Sequence, residues 1–222
     1  MLNEISVSYF HFMLRVDNIP WHLKPFFLLF GYGVGFFFYF YSKLMHATCR
    51  IKFTGAHLPK PSACVYCIWH KDLLFYFTVF PKVKKQIWMN HPAWYMKPVH
   101  LLLYLTGVEH ICLGSSGNSG KAALEKVIGF LKQGYSTTVA CDGPAGPPQE
   151  LKPGALFMSR DAQVSVVPLH FSCSKTWRLG GWDRKYVPCL FSEITVDVGE
   201  DVQVNIENLE ASAIAIEKHL NG

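Results

Sequence analysis

His70 closes the run Ala63–Trp69, an apolar, β-branched and aromatic stretch that reads as a buried parallel strand, and a Leu/Phe-rich helical run follows it. That spacing puts an imidazole at the carboxyl end of a strand, the edge at which open α/β sheets bind ligands. Imidazole is the side chain best suited to move a proton near neutral pH. Taken alone, His70 also fits a hydrogen-bonded histidine at a helix start. Two further loops fall at strand ends. Gly114-Ser115-Ser116-Gly117-Asn118-Ser119-Gly120-Lys121 leads into a helix, where backbone N–H groups make an anion cradle. It is not a nucleotide loop of the G-x-x-x-x-G-K-[S/T] type, because Ser115 stands where the first Gly belongs and Ala122 replaces the metal-binding hydroxyl. Asp142-Gly143-Pro144-Ala145-Gly146-Pro147-Pro148 follows a strand ending at Cys141, so an acid sits at a strand's carboxyl end before a stiff turn.

The elements that must hold these loops alternate strand and helix. Strands are expected at Arg50–Thr54, Ala63–Trp69, Gln86–Met89, Val108–Leu113, Ser136–Cys141, Val164–Leu169 and Glu193–Val198. Helices are expected at Lys71–Phe80, Trp94–Leu105, Ser119–Gln133, Pro153–Asp161 and Asn205–Leu220. The pattern predicts an α/β fold with a mainly parallel central sheet flanked by helices. Residues 46–222 form one such domain, and 1–45 form an N-terminal membrane-anchoring segment.

Composition agrees with an anchor. Of 222 residues, 50% are hydrophobic and only 17% are charged, against about 25% charged in soluble domains. Pro25–Tyr41 carries no charge, and its length is at the short end of what a spanning helix needs. Gly31, Gly33 and Gly35 loosen it, so a single span and a monotopic anchor both fit. An amphipathic surface helix is expected within residues 1–23. Basic residues after the apolar run outnumber those before it, which puts the body on the cytoplasmic side. The formal charge of +5 is too small and scattered to argue for nucleic acid and suits an anionic lipid surface. Seven cysteines, mostly in apolar runs, read as buried thiols of a reducing compartment. Cys64 and Cys67 fall three apart on a strand, where side chains face opposite ways, so neither metal nor redox use is expected.

Together the loops resemble a known family. The succession Trp69-His70, Gly114-Ser115-Ser116 with Gly120, Asp142-Gly143-Pro144-x-Gly146-Pro147, Lys152-Pro153-Gly154-Ala155, Val167-Pro168, Trp177 and Trp182-Asp183 is similar to the lysophospholipid acyltransferase superfamily. More narrowly, it resembles the branch long catalogued as a domain of unknown function, which is similar to lipid A secondary acyltransferases. The likeness covers roughly residues 45–200, with the Asp142–Pro147 block as its most specific part.

The resemblance implies O-acyl transfer at a bacterial inner membrane, from an acyl-carrier-protein or coenzyme A thioester to a hydroxyl of a lysophospholipid or lipid A precursor, with no cofactor. His70 matches the family's general base. Gly114, Ser115, Ser116, Gly143, Pro144 and Gly146 match its acceptor-binding motifs. Lys152 and Arg160 are nearby cations suited to a phosphate. The superfamily's H-x-x-x-x-D spacing reaches Phe75, so the group that orients the imidazole is open, with Asp142 a candidate. Ala145 and Trp94 replace a family Arg and Asp. A non-catalytic lipid-binding protein on the same fold is the alternative. A glycosyltransferase finds no D-x-D metal site.

Overall fold

An apolar run buried on both faces belongs in the interior of a parallel sheet, and Cys64–Ile68 lies there. The computed structural model describes residues 15–60, 62–114 and 119–222. In chain order these form α1 (Lys24–Thr48), β1 (Arg50–Gly55), β2 (Cys64–Ile68), α2 (Leu73–Val79), β3 (Gln86–Asn90), α3 (Lys97–Leu105), β4 (Val108–Leu113) and α4 (Gly120–Lys132). They continue with β5 (Ser136–Ala140), α5 (Gly154–Ala162), β6 (Ser165–Cys173), β7 (Thr176–Arg178), β8 (Tyr186–Pro188), β9 (Glu193–Val198) and α6 (Leu209–Asn221). Among the described residues, seven strands make one sheet in the order β1-β9-β6-β2-β5-β3-β4. Every pairing in it is parallel except β6 with β9. The expected α/β class with a mainly parallel sheet is therefore the observed one.

Alternation along β2 divides the core. Cys64 and Ile68 join one apolar layer with Phe75, Trp88, Leu103 and Val196, beneath α1, α2 and α3. Val65, Cys67 and Trp69 join the other with Val127, Met158 and Ile216, beneath α4, α5 and α6. Cys64 and Cys67 thus sit on opposite faces, and both thiols are free.

Several boundaries differ from expectation for local reasons. The helix expected from Trp94 starts at Lys97 after a 3-10 turn at Trp94–Met96, which leaves Pro98 in the first turn, where its missing N–H costs nothing. The terminal helix starts at Leu209, because Asn205 and Asn208 exchange side-chain to backbone hydrogen bonds of 2.8 Å each and close a turn before it. The hairpin β7–β8 was not expected. The amphipathic helix expected in residues 1–23 falls mostly on residues 1–14, outside the described residues. At 15–16 the chain instead pairs with Pro92 and Ala93.

Helix α1 extends past the uncharged stretch to 25 residues, about 37 Å at 1.5 Å per residue. By length and composition it is able to cross a membrane. One stripe of it, Phe27, Gly31, Gly35, Ser42 and Met45, is buried along the whole helix. A Cβ on Gly35 would lie 2.9 Å from the Pro98 carbonyl oxygen and from Leu101 Cδ2 of α3. Farther along, the Tyr41 hydroxyl donates to the Pro188 carbonyl at 2.8 Å. The opposite face exposes Phe26, Leu29, Phe37, Phe40 and Leu44. Gly35→Leu is expected to force α1 off α3 and to destabilise the fold by about 1–3 kcal/mol. Gly33→Leu, whose Cβ meets nothing within 4 Å, is the matched control. Chemical denaturation of both in detergent checks this, and equal stabilities would show that α1 does not pack on α3.

Candidate active site

Parallel neighbours end at the same edge, and β5 runs beside β2. The ladder continues one step beyond β5, where the Cys141 N–H donates to the Ile68 carbonyl at 2.9 Å. Asp142 therefore emerges next to His70. One carboxylate oxygen of Asp142 accepts the His70 backbone N–H at 2.9 Å, and the other accepts the Gln149 N–H at 3.3 Å. The approach of Asp142 Oδ1 to His70 Nδ1 is 3.8 Å, too long for a hydrogen bond. Asp142 thus fixes the main chain that carries the histidine, while the ring nitrogen Nδ1 is buried without a hydrogen-bond partner among the described residues. Burial pushes the Asp142 carboxyl up, and the two N–H donors oppose that rise.

The Asp142–Pro148 turn packs closely against two side chains. Gly143 (φ +69°) and Gly146 (φ +68°) take left-handed conformations that favour glycine. A Cβ on Gly143 would lie 2.8 Å from Lys152 Cδ and 3.0 Å from its Nζ, so the lysine lies along the turn. A Cβ on Gly146 would lie 2.6 Å from the Trp182 ring. That same indole meets the His70 ring edge-on at 5.2 Å between centroids. Next to it Asp183, buried, is ion-paired with Lys185. Burial lowers the His70 pKa to about 4, with Lys185 and Lys152 pushing the same way and Asp183 and the Gly143 backbone opposing. At neutral pH the imidazole is uncharged and able to accept a proton. Asp72, two residues on, is also buried, leaves Oδ1 without a partner, and is pushed up to about 7 by burial, with the Asp142 charge adding to the effect.

His70, Asp142, Gly143, Gly146 and Lys152 are therefore brought together, with Pro144 exposed on the outer side of the turn. Gly114 is not adjacent: it follows β4, three strands from β2 in the sheet order, or about 14 Å at the usual strand spacing. Ser115 and Ser116 lie outside the described residues. The backbone N–H groups of Gly114 and Gly143 are committed to the carbonyls of Asn90 (2.8 Å) and Ala140 (3.0 Å), so neither is a free oxyanion donor. Arg160 is not at this edge. Helix α5 carries it to the amino ends of the strands, where it pairs with Asp161 and lines a groove with Gln163, Gln203, Val204 and Ile206. Phe75, where the H-x-x-x-x-D spacing would put an acid, stacks on Tyr186 of β8 at 5.9 Å. Trp182, Asp183 and Lys185 join the site from the β7–β8 loop. In the sequence the pair Trp182-Asp183 after Gly180-Gly181 was their signal, but nothing there placed them against His70. No group of metal-binding side chains occurs among the described residues.

This three-layer α/β arrangement has the general fold of an acyltransferase of known structure. The 1-acyl-sn-glycerophosphate (LPA) acyltransferase PlsC of Thermotoga maritima shares it, with a TM-score of 0.50 over 90% of this chain and 88% of that one, at 14% sequence identity. An uncharacterized protein of Rickettsia prowazekii (strain Madrid E) is 25% identical over 189 residues, 82% of this chain and 83% of the relative. No family model matches the chain.

Proposed function

We propose that this chain is a membrane-associated O-acyltransferase that moves an acyl chain from an acyl-carrier-protein or coenzyme A thioester to a hydroxyl of a membrane lipid, either a lysophospholipid or a lipid A precursor. The observation that carries this reading is the placement of His70 at the sheet edge, its main chain held by Asp142, its ring against Trp182, and Lys152 lying along the adjoining Asp142–Pro148 turn. The fold shared with an acyltransferase supports it.

His70 takes the proton of the acceptor hydroxyl as its oxygen attacks the thioester carbonyl, forming a C–O bond. The tetrahedral intermediate then expels the thiolate, which recovers that proton from the imidazolium and leaves as a thiol. A thioester is already activated, so atoms and charge balance without a cofactor. Lys152 supplies a charge for the oxyanion or for an acceptor phosphate. The exposed aromatic face of α1 enters the lipid. Its buried stripe ties it to the body along its length, which favours an anchor lying in one face of a bacterial inner membrane, with the active site on the cytoplasmic side.

Because protonation of His70 removes the base, the acidic limb of kcat/KM is expected near pH 4, where an unperturbed histidine would place it near about 6.5. A limb at the ordinary value in a pH–rate profile would exclude His70 in this environment as the base. The lipid-binding alternative draws on the lack of a hydrogen-bonded carboxylate at His70 Nδ1. Mass spectrometry of total lipids from cells expressing the native chain or His70→Ala at matched levels separates the two readings. A lipid heavier by one acyl group only with intact His70 identifies acceptor and chain together. Identical lipids, with both proteins folded in membranes of a host that makes these acceptors, refute the transferase.

A further inference from the structure

The loop between β7 and β8 packs against both His70 and the Asp142 turn, and the proposed chemistry gives it no part. Three of its side chains converge there. Trp182 lies on both the His70 ring and Gly146. Asp183 is 6% exposed, which is rare for an acid unless it is paired, and its partner is Lys185. A Cβ on Gly181 (φ +125°) would lie 3.4 Å from Asp183 Oδ1, an ordinary contact, so the turn carries the glycine beside the carboxylate.

Only the acid of this pair is buried, Lys185 being half-buried, and such a pair contributes little net stability. Its place beside a histidine points to another use. Two cations, Lys152 and Lys185, act on the imidazole and disfavour the imidazolium that any proton-accepting step must form. Asp142 has both oxygens engaged by backbone N–H groups. Asp183 is the further carboxylate that acts on His70, and it opposes the cations.

We propose that Asp183 is a positioning residue for His70: held by Lys185 on the β7–β8 loop, it balances the lysine charges around the ring and stabilises the imidazolium, while Trp182 fixes the plane of the imidazole. The inference rests on the transferase reading only for its catalytic consequence, because the charge arrangement itself is measurable without turnover.

The test is the titration of the His70 ring, followed by NMR on the full chain in detergent micelles with isotope-labelled histidine and assigned by loss of the signal in His70→Ala. Lys185→Gln leaves Asp183 beside the ring without its counter-charge and is expected to raise the His70 pKa. Asp183→Asn leaves both lysines uncompensated and is expected to lower it. Asp183→Glu keeps the charge and is expected to stay near the native value. In kcat/KM the acidic limb should move with the ring. Loosening of the loop would admit water and raise the pKa in both of the first two variants, so opposite shifts separate charge balance from structural support. Shifts of the same sign, or none, overturn the proposal. If the ring titrates as expected and no variant or native chain transfers an acyl group, the transferase reading fails and the charge assignment stands.

Discussion

Asp142→Ala is expected to lower acyl transfer by about a hundredfold while His70 itself is intact. The carboxylate accepts two part-buried backbone N–H groups, those of His70 and Gln149. The first sets where the histidine leaves β2, and the second closes the turn that carries Gly143 and Gly146. Without the acid, His70 is free to shift, and a displacement of about 1 Å in a catalytic group costs on the order of a hundredfold. Two part-buried donors lose their acceptor, at about 1 kcal/mol each, so the variant should also melt earlier. Asp142→Asn separates the effects. Its amide oxygen still accepts one N–H, so much of the stability should return, and activity should recover in proportion to how well the His70 N–H is held. Steady-state kinetics and denaturation on both variants check this. Full activity in Asp142→Ala would show that His70 is positioned by other contacts.

The same aspartate shows what the sequence alone was able to convey. Cys64–Ile68, Val108–Leu113 and Glu193–Val198 were readable as strands, because their patterns are set by burial on both faces or one. An acid and a histidine at two strand ends followed from that. Which strands are neighbours did not, since pairing depends on contacts far apart in the chain. Gly114 was grouped with His70 because both follow strands, yet β5 and β3 separate them. Arg160 was grouped with Lys152 by proximity in sequence, yet α5 lies between and takes the arginine to the other edge. The β7–β8 hairpin was hidden because its strands are three residues each and β7 is exposed, so no alternation marks them. Helix α1 continues through Lys43 to Thr48, because the last turns pack on the body, with His46 Nδ1 bonded to the Thr78 carbonyl at 2.9 Å.

Asp72→Asn is expected to stabilise the protein at alkaline pH and to leave it nearly unchanged at pH 4. Asp72 is 1% exposed, and its Oδ1 has no hydrogen-bond partner among the described residues. Burial raises its pKa from 3.8 to about 7. The folded state therefore prefers the protonated acid more strongly than the unfolded chain does. Well below pH 3.8 both states are protonated, and at pH 4 the penalty is still small. As pH rises to 7 the unfolded chain releases the proton and the folded protein retains it. The penalty grows through that window and is complete above it, on the order of 4 kcal/mol at about 1.4 kcal/mol per pKa unit. The half-buried His70 and the buried His100, both lowered to about 4, have the opposite sign. Between pH 6.5 and 4 the unfolded chain gains protons that the folded protein refuses, so their effect weakens the fold as pH falls. In the native chain Asp72 offsets part of that loss. Asp72→Asn removes the offset, so its stability should fall more steeply from pH 7 to 4 and meet the native value at the acid end. Urea unfolding at pH 4, 6 and 8 checks this. A gain that is the same at all three would show that the change acts through packing and that Asp72 is not the buried acid with a raised pKa that its surroundings make it.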